Sequence, residues 1–186
     1  MSFRDLVYLD KDFISSLYES KFDESPEVFI TKAQAMNAGA KVPMFSAGVS
    51  STETKAYKVS TTKMLEKLKG DLENFDLLKQ KLTSDRECSS YYWVSGVMTV
   101  QTTTLETKKG EAEETYFSVQ DEFENDLALL ANDDYFTSNL SDLLKFTEVV
   151  VNVINFKVKA LVRVIPAKTS FKGWVAVPLV IREISS

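Results

Sequence analysis

The chain has 186 residues, a net charge of −5, one cysteine and no histidine. Without imidazole there is no Ser-His-Asp or Cys-His relay and no His-ligated zinc site, and a single thiol builds neither an internal disulfide nor a thiolate cluster. An enzyme of this composition would work with carboxylates, Lys, Tyr or hydroxyls, most simply around a magnesium-type ion held by Asp and Glu.

The length suits a single domain over residues 1–186 whose core needs no staple. A lone Cys88 fits a reducing cytosol. The apolar run in "MSFRDLVYLDKD" is too short for a signal-peptide core, and "TEVVVNVINF" and "VAVPLVI" fall short of the roughly 20 residues that span a bilayer. These features predict a cytoplasmic protein with no membrane association.

In chain order, Asp5 to Leu9 reads as a short buried strand, followed by a helix with Phe13, Ile14, Leu17 and Tyr18 on one face and Asp10 or Asp12 as its N-cap. Ser25-Pro26 ends it. The segment 27–57 has no clear period and is expected to be a poorly ordered loop or a pair of weak strands. Its "GVSSTETKAYKV" lacks the GxxxxGK[ST] spacing of a phosphate-binding loop.

Thr61 to Leu82 predicts a helix, because Leu65, Leu68, Leu72, Phe75, Leu78 and Leu82 recur at three- and four-residue steps. Ser60 or Thr61 offers its N-cap, and Gly70 before Asp71 is a point where it can divide. Such a helix lies on a sheet or forms a coiled-coil seam between two copies.

Beyond Cys88, read as half-buried and not nucleophilic, "SSYYWVSGVMTVQTTTLE" predicts one long bulged strand or two short ones around Gly96. "KKGEAEE" is a turn and Thr115 to Gln120 the partner strand. Helical spacing returns with Phe123, Leu127 and Leu130, then with Leu140, Leu143 and Leu144. At the C-terminal end, Lys157, Lys159 and Arg163 alternate with Phe156, Val158, Ala160, Val162 and Val164, a strand with one buried and one basic face. "FKGWVAVPLVIREI" returns as its antiparallel partner, with an edge or bulge at Pro178. The expected fold class is therefore α+β, a mostly antiparallel sheet covered on one side by two or three helices.

Charge is distributed unevenly. From Val149 onward six basic residues face one acid, Glu183, a local balance of +5 against −10 for the remainder. Such asymmetry marks a face for an anionic partner, or an acidic and a basic surface that meet in a homo-oligomer; Lys157, Lys159, Arg163, Lys168, Lys172 and Trp174 are the candidate binding residues, a mixture of charge and aromatic faces suited to single-stranded nucleic acid or a nucleotide. The plainer alternative is an amphipathic strand that carries Lys and Arg toward solvent.

Two resemblances bear on function. The strand ending in "YLD" and leading into a helix resembles the opening of PIN-like ribonucleases, which implies a divalent-ion site at Asp10; Asp133 and Asp134 of "ANDDYF" or Glu19 are the candidate further ligands. The β-rich second half departs from that family's alternation of strands and helices. The order "VYLDKDFISSLY", "SAGVSSTETKAYKVS", "TTKMLEKLKGDL" and "YYWVSGVMTV" resembles an uncharacterised bacterial family, the domain of unknown function numbered 6414. That likeness implies a bacterial protein and makes "YLD" a structural opening. The expectation is a cofactor-free, non-enzymatic binding or interaction protein, with a protein partner or self-association, and a magnesium-dependent nuclease centred on Asp10 as the alternative.

Overall fold

A computed structural model describes residues 5–31, 53–57, 59–83, 87–107, 110–137, 155–166 and 173–184. The chain divides into two compact units, one of Lys11–Gly70 and one of Met1–Asp10 with Asp71–Ser186.

The first unit holds α1 (Lys11–Phe22), the antiparallel pair β2 (Glu27–Thr31) and β3 (Glu53–Tyr57), and most of α2 (Thr61–Glu73). The weak-strand expectation for 27–57 thus applies to the two ends of that segment; 32–52 lies outside the described residues. Ser60 caps α2, its Oγ accepting from the Lys63 N–H at 3.4 Å. The Lys67 ammonium donates to the Tyr18 hydroxyl at 2.9 Å and lies over the rings of Tyr18 and Phe22. The Tyr18 hydroxyl, by accepting that bond, raises the Lys67 pKa above its ordinary value.

The second unit is a six-stranded mixed sheet of β1 (Leu6–Leu9), β4 (Ser90–Thr107), β5 (Gly110–Asp121), β6 (Asp126–Leu129), β7 (Phe156–Ile165) and β8 (Trp174–Glu183). An α+β class holds, but the sheet is not wholly antiparallel, because β6 runs parallel to β8. Successive pairings β4–β5, β5–β6, β6–β8, β8–β7 and β7–β4 return to their start, so five strands form a closed ring. Closure pairs both edges of the strands within the ring, while the β4–β5 hairpin runs on beyond it, 99–107 and 110–117 pairing with each other and, among the described residues, with no further strand. β7 takes one edge of β8 from 175 to 183, and β6 and β1 share the other, at 174–176 and 180–182.

Two residues make the closure geometrically possible. Gly96 is the first of three residues, Gly96 to Met98, at which β4 is paired with both neighbours, and it stands opposite Asp121 of β5 and Val158 of β7. A Cβ there would stand 2.2 Å from the Gln120 carbonyl oxygen, an approach only glycine allows. On β8, Leu161 faces Val180 while Val162 faces Pro178, so a bulge at Leu179 absorbs the proline the sequence places in mid-strand. The displaced Leu179 carbonyl accepts the Asp10 N–H at 2.8 Å.

Alternate residues fill the ring. Val94, Met98, Phe117, Val119, Leu127, Val158, Ala160, Ala176 and Ile181 are among its fully or almost fully buried side chains. Each large apolar side chain so buried contributes roughly 1.5–3 kcal/mol.

Three sequence expectations fail here. The helix predicted to Leu82 stops at Glu73, and residues 76–78 run beside β4 instead. Trp93 donates its N–H to the Asp76 carbonyl and accepts from the Leu78 N–H, both at 2.8 Å, filling the β4 edge that β5 leaves open before Gly96. Helical spacing at Phe123, Leu127 and Leu130 also misleads, since Asp126–Leu129 is the strand β6. Leu127 and Leu129 point inward at strand period, and Leu130 is 58 % exposed. The second predicted helix face, Leu140, Leu143 and Leu144, lies outside the described residues. Cys88 is exposed and not half-buried. Among the described residues no helix is long and apolar enough to cross a membrane.

Candidate functional site

The register of β4, β7 and β8 assembles a basic face from residues far apart in sequence. Side chains directly opposite one another share a face of a sheet, so each set of partners forms a row. Val97, Lys157 and Ile184 make one row, with the Ile184 N–H bonded to the Lys157 carbonyl at 2.9 Å. Ser95, Lys159 and Arg182 make the next, then Trp93, Leu161 and Val180, then Tyr91, Arg163 and Val177. These rows lie on the opposite side of the sheet from Val94, Met98, Val158, Ala160 and Val162, which fill the core, but Trp93, Leu161 and Val180 are themselves buried, so a covered row stands between Arg163 and the Lys159–Arg182 pair.

Within this face the cations are held by aromatic rings. The Lys159 ammonium lies 5.2 Å and the Arg182 guanidinium 5.6 Å from the centre of the Trp93 ring. Trp93 is itself 5 % exposed, and its indole N–H donates to the Leu72 carbonyl at 2.7 Å, satisfying an acceptor at the C-terminal end of α2. Arg163 is positioned by the Ser89 hydroxyl at 3.0 Å and lies over Tyr91, whose ring also meets Phe75. Among the described residues no carboxylate pairs with Lys157, Lys159, Arg163 or Arg182.

Of the residues singled out from sequence, Lys157, Lys159 and Arg163 therefore share one side of the sheet, with Arg163 set apart by the buried Leu161 row. Trp174 does not join them, because it pairs with Leu127 across the β6–β8 junction and packs against the barrel core. Lys168 and Lys172 lie outside the described residues. Arg182, Trp93 and Tyr91 complete the face without having been singled out for it. Arg182 was countable as a basic residue of the C-terminal strand, but its place opposite Lys159 depends on the bulge at Leu179.

A network at the other edge of β5 fixes the neighbouring turn. Asp121 Oδ1 accepts from the N–H groups of Phe123 and Asn125 at 2.9 and 2.8 Å, and its Oδ2 accepts from Asn125 Nδ2 at 2.7 Å. Asn125, 2 % exposed, also accepts from the Leu82 N–H at 2.8 Å and donates to the Gln80 carbonyl at 3.0 Å. It ties residues 80–82 to the β5–β6 turn. On β5, burial and then the Asp126 charge raise the pKa of Tyr116 above the ordinary tyrosine value, and its hydroxyl donates to Gln101 Oε1 at 3.0 Å.

The acids of the nuclease reading can be placed in part. Asp10 stands between β1 and α1. Tyr8 bridges Phe136 antiparallel, so the chain preceding Phe136, with Asp133 and Asp134, runs toward the Asp10 end of β1. Among the described residues no three His, Cys, Asp or Glu side chains form a group able to hold a metal ion; the Asp133 side chain is not among those described.

In comparisons with known proteins, no family model, no curated protein and no solved structure matches the chain.

Proposed function

We propose that the chain is a non-enzymatic binding module that holds an anionic partner on the outer face of β4, β7 and β8. One observation carries the reading: Lys157, Lys159, Arg163 and Arg182 gather on that face with no carboxylate to pair them among the described residues. Lys159 and Arg182 sit directly opposite one another, an arrangement of like charges that costs stability in a sheet and that a bound anion relieves. The aromatic contacts hold both cations in place, which lowers the entropy lost on binding. Five-stranded Greek-key barrels of the OB type are widely used for ligand binding, an analogy of architecture only. The reading includes a bacterial cytosolic setting, in keeping with the family resemblance and the lone thiol.

Fluorescent poly-glutamate is the test ligand. Wild type is expected to bind it, and the triple reversal Lys157→Glu, Lys159→Glu, Arg182→Glu to bind at least about tenfold more weakly, since each reversal turns attraction into repulsion. In a Trp174→Phe background, emission from Trp93 should change on binding, because two of the contacting cations lie over its ring. Undiminished affinity in the triple variant would remove this face from consideration.

A further inference from the structure

Resting on that reading, we infer that the partner is an extended acidic protein segment that places an apolar side chain two residues away from an acid. The row beside the two ring-held cations is not purely basic. Val97 is 36 % exposed and Ile184 40 % exposed, and they flank Lys157 from its two sides. Exposed aliphatic groups on either side of a lysine match an apolar side chain with a carboxylate nearby and have no counterpart in a phosphate backbone.

The aromatic groups of this face are poorly placed for nucleic acid. Single-strand binders present open aromatic rings on which bases stack. Here the ring nearest the cations, Trp93, is 5 % exposed and has Lys159 and Arg182 over it. Tyr91 is 37 % exposed, but it lies beyond the buried Leu161 row and packs against Phe75 and Arg163.

Spacing then defines the ligand. Successive rows on a sheet face lie about 6.8 Å apart, which is also the distance between residues i and i+2 of an extended peptide. A segment lying along β7 with a leucine over Val97, Lys157 and Ile184 therefore sets the side chain two positions away over Lys159 and Arg182. That second side chain is the acid.

The test uses the full chain and four labelled probes: a short peptide with a Leu-Ser-Asp-Ser-Asp core, a peptide of the same composition with leucine moved away from the acids, poly-glutamate and oligothymidylate. The ordered peptide should bind more tightly than the rearranged one and than oligothymidylate. Val97→Ser with Ile184→Ser should weaken the ordered peptide about tenfold and leave poly-glutamate unchanged, whereas Lys159→Gln should weaken both. Circular dichroism and urea unfolding establish that these exposed substitutions leave the fold intact. Equal binding of the two peptides, tighter binding of oligothymidylate, or a wild-type dimer in sedimentation that the double serine variant dissolves would each overturn the inference, the last by making a second copy the occupant. If poly-glutamate alone binds, only the ligand class fails; if no probe binds, the binding face itself fails.

Discussion

Gly96 is the residue on which the closed ring depends most directly. β4 serves two partners because its backbone passes close to β5 at this position, with the Gln120 carbonyl where a side chain would begin. Neither neighbour can withdraw without breaking ladder hydrogen bonds. Gly96→Ala is therefore expected to destabilise the protein by about 3 kcal/mol or more, well above an ordinary surface substitution. Urea unfolding measures it; a loss under about 1 kcal/mol would mean that β4 bends away without penalty. The glycine was legible in the sequence as a bulge or a break and Thr115 to Gln120 as the partner strand, but the register that sets the Gln120 carbonyl against Gly96 was not.

At the scale of elements, the same leucines satisfy two different periods. Leu72, Phe75, Leu78 and Leu82 repeat at helical steps, yet the helix ends at Glu73 while Leu78 and Leu82 remain buried. The decision is made by hydrogen-bond partners and not by spacing. Trp93 offers residues 76–78 a vacant strand edge, and Asn125 takes the Leu82 N–H, so these backbone groups are satisfied without a helix. Leu127 behaves likewise, fitting a helix with Phe123 and Leu130 until β5 and β8 are present on either side of it. By contrast, the alternation of Lys157, Lys159 and Arg163 was legible, because strand period leaves one reading only. Asn125→Ala tests the tie. It leaves the Leu82 N–H, the Gln80 carbonyl and Asp121 Oδ2 each short of a partner in a buried or part-buried setting, at a cost of about 2–4 kcal/mol. Amide exchange should rise at Leu82 and Leu78 more than in β7; uniform change across the barrel would refute a local tie.

For the molecule as a whole, charge separates binding from stability. The chain is acidic overall, yet one barrel face is basic and unpaired by carboxylates among its described neighbours. Lys159 and Arg182 have the Trp93 ring and each other beside them, and no acid among the described residues. Lys159→Gln loses a ring contact worth about 0.5–1 kcal/mol and relieves a like-charge pair of similar size, so its unfolding free energy should stay within about 1 kcal/mol of wild type. Its poly-glutamate affinity should nevertheless fall. Salt should separate the two properties in the same way, because the screening length shrinks from about 10 Å at 0.1 M to about 3 Å at 1 M. Added sodium chloride then weakens polyanion binding strongly, while stability holds or rises slightly as repulsion within the −5 chain and between Lys159 and Arg182 is screened. Parallel titrations of binding and of urea unfolding from low to high salt decide the matter. If stability falls in step with affinity, attractive charge contacts hold the fold together and the basic face is structural, not a place for a partner.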